Sequence, residues 1–313
     1  MNTYLLKHNE KLLLKGKYVI GIGFFDGLHL GHQALVKETV KISKETNLIP
    51  AIMTFDHYPL SVIKGVSETY LLSKKERNFL LEKMGIETIF EIEFTEVVSR
   101  LNPEDFIREY IIANQIKHVV AGYDFHFGYK NSGDIDTLKN DMFSLSIIAP
   151  VLYNQHQKIS STLIRNLLKN GKIEEASCLL GRPYSIRGKV IHGKHRGTVL
   201  GFPTANINID KYLIPQRGVY GVVLEMDHKA YYGMANIGVN PTFNDLLSDS
   251  LEVYIFDFDK NIYNKTVKVN FLFFTRPEIT FKSLDDLIKK MHQDKEEISG
   301  KLKNSLTNTY KLL

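Results

Sequence analysis

The sequence contains a single cysteine, Cys178, among its 313 residues. One thiol excludes an internal disulfide, and its neighbours Leu179 and Leu180 lie in a stretch with helical character. We therefore expect Cys178 in a hydrophobic core and the protein in a reducing compartment. The chain also lacks a run of eighteen apolar residues, and residues 1–17 lack the uninterrupted apolar segment of a secretory signal. These absences predict a cytoplasmic protein with no membrane partner.

Two common nucleotide-binding motifs and any strongly basic segment are absent as well. No Gly-Lys pair is followed by Ser or Thr, as a P-loop requires, and the glycine spacing misses the G-x-G-x-x-G fingerprint. The net charge of +5 suits a polyanionic ligand. Because Lys and Arg form no block and no stripe interleaved with aromatic residues, the charge predicts small nucleotides as ligands and argues against nucleic acid.

The most informative stretch that is present covers residues 21–32, GIGFFDGLHLGH, with four glycines. It follows a short apolar run and precedes a helical pattern, so it predicts a strand end, a tight turn and a helix N-terminus, which together suit phosphate. His29 and His32 can point into one concavity and donate to phosphate oxygens in a transition state. The alternative is a glycine-rich turn with two surface histidines that have no function.

The apolar pattern divides the chain into two predicted domains, residues 1–180 and 184–313, joined at the Gly-Arg-Pro-Tyr segment. In the first, strand-like runs alternate with helical segments, which predicts an α/β domain with a doubly wound parallel sheet whose ligands bind beyond the carboxyl ends of the strands. In the second, strand-like runs follow one another without helices and predict an antiparallel barrel or sandwich, ended by a helix over residues 284–310. The predicted strands cover residues 18–24, 49–55, 88–92, 118–121, 145–152, 184–192, 219–226, 230–237, 251–256 and 267–274, and the predicted helices of the first domain cover residues 33–45, 73–83 and 103–113.

Three further polar stretches stand at predicted strand ends of the first domain. Residues 54–59, TFDHYP, fit a simple turn or a ligand contact equally well. Residues 122–128, GYDFHFG, alternate two aromatic rings with Asp124 and His126 and predict a platform for a planar ring. Residues 159–165, ISSTLIR, supply either plain N-cap hydroxyls or, together with Arg165 one turn later, a triphosphate site.

The second domain has its own polar residues. Thr204 and Asn206 place oxygen ligands at alternate positions, which suits Mg²⁺ and the phosphates it accompanies, although such a loop can also be purely structural. Glu252 stands in an apolar strand. It lies either on a solvent face or at a barrel mouth, where it could take a proton from an alcohol.

Taken together, these stretches resemble one family over essentially the whole chain, the bacterial bifunctional riboflavin kinase/FMN adenylyltransferase, also called prokaryotic FAD synthetase. Residues 23–32 and 159–165 are similar to the H-x-G-H and I-S-S-T-x-I-R signatures of its nucleotidyltransferase module. The similarity to its flavokinase barrel rests on residues 201–206 (GFPTAN), 218–221 (GVYG), 236–243 (NIGVNPTF) and 276–278 (RPE), and on the strand that carries Glu252.

The resemblance implies two reactions and a role for each candidate residue. ATP would phosphorylate riboflavin to FMN, and a second ATP would adenylylate FMN to FAD with release of pyrophosphate; Mg²⁺ would assist, and the partners would be these small molecules, with the protein a monomer or weak homo-oligomer. The implied catalytic residues are Glu252, His29, His32 and Arg165. The implied nucleotide contacts are Gly23, Phe24, Phe25, Asp26, Gly27, Ser161, Thr162, Thr204 and Asn206, the last two also holding Mg²⁺. The implied flavin contacts are Asp124, Phe125, Phe127, Arg276 and Glu278.

Three positions depart from the family pattern, all in the second domain. Thr198, Tyr254 and Asn264 stand where many members have Arg, His and Gly. They leave open a monofunctional FMN adenylyltransferase whose barrel only binds flavin or supports the fold. A nucleotidyltransferase with a different product would give the barrel no purpose, and a non-catalytic flavin-binding regulator would have no need of Glu252 and His29.

Overall fold

The computed structural model describes residues 1–65, 69–154, 156–193, 201–241 and 247–305. The chain divides into two compact units, Met1–Ser161 and Thr162–Leu313. This division falls before the predicted linker at residues 181–184. The contacts within each unit define this division, whereas domain limits concern the segments that fold independently. The domain limits 1–180 and 184–313 therefore stay a prediction.

Six parallel strands form one sheet in the first unit, in the order β1-β4-β3-β2-β5-β6. They are β1 (Asn2–Leu6), β2 (Tyr18–Ile22), β3 (Ile49–Phe55), β4 (Thr88–Ile92), β5 (Ile116–Gly122) and β6 (Ser144–Ile148). β2 and β4 are buried along their whole length, which explains their continuous apolar runs. The sequence pattern misses β1, because this edge strand is largely exposed and mixes polar with apolar residues.

The sheet is covered on both faces, which confirms the predicted doubly wound fold. Its helices are α1 (Leu30–Thr46), α2 (Pro59–Lys64), α3 (Lys74–Lys83), α4 (Glu96–Ser99) and α5 (Pro103–Phe106). Val19 and Ile52 pack with α1 on one face, whereas Ile20 and Met53 pack with Phe106 on the other. Successive strand residues therefore feed two separate cores.

The predicted helix over residues 103–113 is not a single α-helix. α5 continues as a π-helical segment, Ile107–Ile111, and a 3-10 turn, Ile112–Asn114. The Asn114 side-chain amide donates to the carbonyls of Glu109 and Tyr110, each at 3.1 Å. These bonds satisfy backbone acceptors that further helical turns would otherwise use, so the helix ends there.

The second unit begins with α6 (Ser161–Lys169, whose first residue belongs to the first unit) and α7 (Ile173–Leu180), and continues as a closed antiparallel barrel. A short hairpin of β7 (Leu152–Tyr153) and β8 (Gln157–Lys158) precedes α6 and belongs to the first unit. The barrel strands are β9 (Tyr184–Ile191), β10 (Thr204–Ile207), β11 (Gly218–Met226), β12 (Lys229–Pro241), β13 (Leu247–Ile255) and β14 (Thr266–Pro277). The predicted strands of this half are confirmed as a barrel. The four-residue β10 lies in a stretch that the sequence pattern interprets as a loop.

The C-terminal helix α8 (Leu284–Ser305) packs on the outside of the barrel. Its Ile298 and Leu302 are buried with Phe202 and Val219. The last part of the predicted helix, residues 306–310, lies outside the described residues. Within the described parts of the chain, no helix combines the length and the apolarity needed to cross a membrane.

The expectation that Cys178 is buried is wrong, because its side chain is exposed. α7 buries Ile173, Ala176, Leu179 and Leu180 on one side, where the helix contacts β9 and β14. Cys178 lies roughly opposite to that side, since each residue advances about 100° around a helix.

We expect α6 and α7 to be part of the barrel's folding unit. A fragment of residues 181–313 should be less stable than one of residues 162–313 by roughly 4 kcal/mol or more, because it loses the buried face of α7. Urea unfolding of both fragments measures the difference. In the longer fragment Leu179→Ala should destabilise by about 3 kcal/mol and Cys178→Ala by almost nothing; equal midpoints for the two fragments would place the boundary at residue 181 instead.

Candidate active site

The turn that follows β2 holds a backbone conformation that side chains rarely adopt. Phe25 and Leu28 have φ values of 57° and 43°, and Gly27 lies between them at 76°. Phe25 and Leu28 are fully buried. The Asp26 carboxylate accepts from the Leu71 N–H at 2.9 Å, and its carbonyl accepts from the Ser161 hydroxyl at 2.9 Å. These contacts hold the strained turn in place.

His29 and His32 lie together at the start of α1. His29 is the N-cap residue, and its Nδ1 accepts from the His32 N–H at 3.3 Å. The two rings stack with centroids 3.7 Å apart and planes 15° apart. A Cβ at Gly31 would lie 3.1 Å from the His29 ring, so the glycine between the histidines makes room for the imidazole. Since Nδ1 accepts, the proton of neutral His29 is at Nε2, where it can donate to a ligand.

His32 remains neutral near pH 7. Desolvation of its ring lowers its pKa well below the usual value, and the charges of His29 and Lys158 lower it further. Its Nδ1 is buried and makes no hydrogen bond within the described parts of the chain. The imidazole of His32 is thus available in its neutral form beside His29.

A cavity of about 300 Å³ opens at the carboxyl ends of β2, β5 and β6, next to these histidines. β2 and β5 are neighbours whose onward connections run to opposite sides of the sheet, so this is the topological switch point. The cavity is lined by Ile22, Gly23, His29, Gly31, His32, Leu35, residues 122–126, residues 148–151 and residues 158–161. Lys158, which forms an ion pair with Asp124, is the one Lys or Arg among the described residues of this lining. We call it the phosphate cavity, because imidazole N–H groups and an ammonium line it.

A larger and mostly apolar cavity of about 570 Å³ adjoins the phosphate cavity. Its lining is Ile22, Gly23, Phe24, Met53, Thr54, Phe55, Pro59, Ile63, Ile92, Phe94, Val98, Ser99, Phe106, residues 125–128, Lys130 and Asn131. Phe125 and Phe127 stack with centroids 5.6 Å apart and planes 14° apart. This aromatic cavity has the size and lining that a planar ring requires.

The structure thus brings together only some of the predicted residues of the first unit. Gly23, Ser161, Asp124, His29 and His32 line the phosphate cavity, whereas Phe24, Phe125 and Phe127 line the aromatic cavity, with Gly23 and Phe125 in both. Phe25, Asp26 and Gly27 line neither and are buried in the turn. Thr162 and Arg165 lie on α6 in the second unit, and their ligand contacts stay predictions.

In the barrel, Thr204, Asn206 and Glu252 share the outer face. Asn206 and Glu252 are register partners on β10 and β13, and the Thr204 hydroxyl donates to Glu252 Oε2 at 3.2 Å. Ala205 and Val253 are buried on the opposite, inner face. Glu252 therefore lies half-buried on the outside of the barrel wall and not on its interior face.

A hydroxyl, an amide and a carboxylate oxygen are ligands that suit Mg²⁺, so the residue types fit this ion. Within the described residues, no group of three or more His, Cys, Asp or Glu could hold a metal by itself. Mg²⁺ at Thr204 and Asn206 would accordingly need phosphate oxygens of a substrate to complete its coordination. A cavity of about 150 Å³ beside Thr204 is lined by Val190, residues 203–205, Val253, Ile255 and residues 258–263.

Two of the three departures from the family pattern have a structural explanation. Asn264 has a φ of 67°, and Asn is one of the few residues that replace glycine there at little cost. Tyr254 packs against Phe202 with centroids 5.1 Å apart, and the Lys295 ammonium of α8 lies 5.5 Å from its ring centroid. Tyr254 therefore connects β13, the strand that carries Glu252, to α8. Thr198 lies outside the described residues, as do Thr242 and Phe243 of the motif over residues 236–243.

Arg276 makes a structural contact that its sequence motif does not predict. Its Nε and Nη2 donate to Asp294 Oδ2 at 2.9 and 2.7 Å, and Asp294 is buried on α8. The side chain thus ties β14 to α8. A Cβ at Gly238 would lie 2.5 Å from Glu278 Oε1, so this carboxylate rests on the β12 backbone. Flavin contacts of Arg276 and Glu278 stay predictions.

A doubly wound sheet with a cavity at its switch point is the architecture of ligand-binding α/β proteins, and here a closed barrel with its own oxygen-rich site follows it. Comparison with known families is more specific. Residues 13–163 match the FAD synthetase family model, and residues 180–302 match the riboflavin kinase family model.

Curated relatives match both units at once. A bifunctional riboflavin kinase/FMN adenylyltransferase of Listeria monocytogenes is 38% identical, over 89% of this chain and 90% of its own. The Bacillus subtilis protein of the same name is 36% identical, over 95% and 97%. A crystal structure from Streptococcus pneumoniae, described as a macrolide-efflux protein, has a TM-score of 0.87 at 34% identity, over 95% and 98%. This chain belongs to the bifunctional riboflavin kinase/FMN adenylyltransferase family.

The lowered pKa of His32 predicts a pH dependence of stability. An unfolded histidine titrates near 6.5, so below that pH the unfolded chain binds a proton that folded His32 rejects. The free energy of unfolding should therefore fall on acidification, and His32 should contribute at most about 1.4 kcal/mol per pH unit to this fall. Above pH 7 this histidine is neutral in both the folded and the unfolded chain, so the free energy of unfolding should no longer be lowered by it. In urea unfolding at pH 5.5, 6.5 and 7.5, the free energy of unfolding should depend less steeply on pH for His32→Gln than for the wild type. His156→Gln, at an exposed turn, should keep the wild-type slope; a common slope for all three proteins would contradict a desolvated His32.

Proposed function

We propose that this protein phosphorylates riboflavin to FMN with ATP and adenylylates FMN to FAD with release of pyrophosphate. The observation that carries the second activity is the junction of the aromatic cavity with the phosphate cavity beside His29 and His32. A planar flavin ring fits the first, and nucleotide phosphates fit the second. Membership of the family supports the pairing of both activities in one chain.

For adenylyl transfer, an oxygen of the FMN phosphate attacks the α-phosphorus of ATP, a new P–O bond forms, and pyrophosphate leaves. The FMN phosphate is already anionic at neutral pH, since its second pKa is about 6, so no protein base is required. His29 donates from Nε2 to the phosphate oxygens on which charge builds up. Neutral His32 adds a second donor without the repulsion that two imidazolium rings would produce.

For the kinase reaction, the riboflavin 5′-hydroxyl attacks the γ-phosphorus of ATP, the bond between this phosphorus and the bridging oxygen breaks, and ADP leaves. Glu252 takes the hydroxyl proton. The Thr204 hydroxyl already donates to Oε2 of this carboxylate, which orients Glu252 as an acceptor. Thr204 and Asn206 would hold Mg²⁺ against the phosphates, and the ion would neutralise their charge when bound.

We also propose that the enzyme is cytoplasmic and works as a monomer or weak homo-oligomer. The single thiol of the chain supports a reducing compartment.

Glu252→Gln keeps the size of the side chain but removes the base. Kinase turnover should fall by about 10²- to 10⁴-fold, while FAD formation from supplied FMN continues. Chromatography of incubations with riboflavin, ATP and Mg²⁺ measures both products. Glu225→Gln is the matched control, since Glu225 is a half-buried barrel carboxylate that accepts from Asn270 away from Thr204 and Asn206.

The wild type must be assayed first, because it separates the two candidate activities. FAD from supplied FMN without any FMN from riboflavin would make the protein a monofunctional adenylyltransferase. Glu252 would then not be a catalytic base in this chain.

His29→Ala removes a phosphate donor from the other reaction. FAD formation should slow by about 10²- to 10³-fold, the usual effect of losing one transition-state donor, with FMN formation from riboflavin nearly unchanged. Separate initial-rate assays of the two steps check this. An equal loss of both rates would show that the substitution damages folding.

A further inference from the structure

Among the residues that the structure describes, four line both the phosphate cavity and the aromatic cavity: Ile22, Gly23, Phe125 and His126. Of these, only His126 has a polar side chain. His29, His32 and Lys158 line the phosphate cavity alone, and Lys130 lines the aromatic cavity alone. Within the described part of the chain, His126 is therefore the one ionisable side chain that lines the junction, where a group attached to a bound ring would enter the phosphate cavity.

The local backbone fixes the position of His126. Its Nδ1 lies 2.9 Å from the Asp124 carbonyl oxygen, and because a carbonyl only accepts, Nδ1 carries the proton. The Phe125 N–H donates to the Gly122 carbonyl at 3.0 Å, and Phe127 pairs with Gly133 through two backbone hydrogen bonds. With the ring anchored on one side, Nε2 is the atom left to meet a ligand.

We propose that His126 binds the phosphate of FMN at this junction and thereby sets the flavin phosphate against the α-phosphorus of ATP. The inference rests on the proposed adenylyl transfer and adds the residue that recognises the nucleophile. The flavin ring occupies the aromatic cavity, and the ATP phosphates occupy the phosphate cavity beside His29. The FMN phosphate, at the end of the ribityl chain, then reaches the junction.

One proton is shared between Nε2 and the FMN phosphate. Either an imidazolium Nε2–H donates to the phosphate dianion, or neutral Nε2 accepts from the monoanion, and the number of protons in the complex is the same. A second terminal oxygen of that phosphate attacks the α-phosphorus, and the bond to pyrophosphate breaks. His126 thus binds and orients the substrate, and gives up no proton in the step.

Steady-state FAD formation from FMN and ATP by the full chain tests the proposal. His126→Ala should raise the KM for FMN by about tenfold or more, as expected when a charge-assisted hydrogen bond is lost, and should leave the KM for ATP within about twofold. Lumiflavin, which has the ring without the ribityl phosphate, should inhibit wild type and variant competitively with the same Ki. His126→Phe, which keeps a ring but no nitrogen, should behave like His126→Ala, whereas His126→Gln should recover part of the affinity.

His156→Ala is the matched control, because this exposed histidine lines neither cavity. An unchanged KM for FMN in His126→Ala would overturn the proposal, and so would a rise in the KM for ATP alone. A parallel rise of the lumiflavin Ki would show instead that the imidazole packs against the ring. Absence of FAD formation by the wild type would overturn the adenylyl transfer itself, which is a different failure from an insensitive KM.

Discussion

The crevice between the carboxyl ends of β2 and β5 is the constraint on which the first unit's site depends. The two strands pair in parallel, yet the chain leaves them toward opposite sides of the sheet. No connection can then cover the gap between their ends. The turn with His29 follows β2 and the loop with His126 follows β5, so both groups of cavity-lining residues meet there.

That arrangement is held by packing and not by local preference. Phe25 and Leu28 occupy left-handed conformations that cost of order 1–3 kcal/mol each, and complete burial of both side chains offsets this. Asp26 adds hydrogen bonds to segments far along the chain, at Leu71 and Ser161. The histidines are thus presented by a turn whose shape is decided by contacts outside it.

This dependence explains what the sequence alone could and could not reveal. Continuous apolar runs identify the buried strands such as β2, and the glycine spacing identifies the turn. Short or exposed strands such as β1 and β10 carry no such pattern. The sequence also cannot separate Asp26, which supports the turn, from Gly23, which lines the cavities. In the sequence, His126 is only a polar residue between two aromatic ones, because its proposed role depends on two cavities that share lining residues.

The two candidate sites differ in the way their reactions require. An alcohol nucleophile must lose a proton, and the barrel offers a carboxylate, Glu252, that already accepts a hydrogen bond from Thr204. A phosphate nucleophile is an anion already, and the sheet offers two imidazoles, of which His32 is kept neutral by desolvation. A carboxylate among the phosphates would repel both substrates, and Asp124, which lines that cavity, is paired with Lys158. The functional groups of the two sites thus suit the charge of each proposed nucleophile, which is a physical reason to assign phosphorylation to the barrel and adenylylation to the sheet.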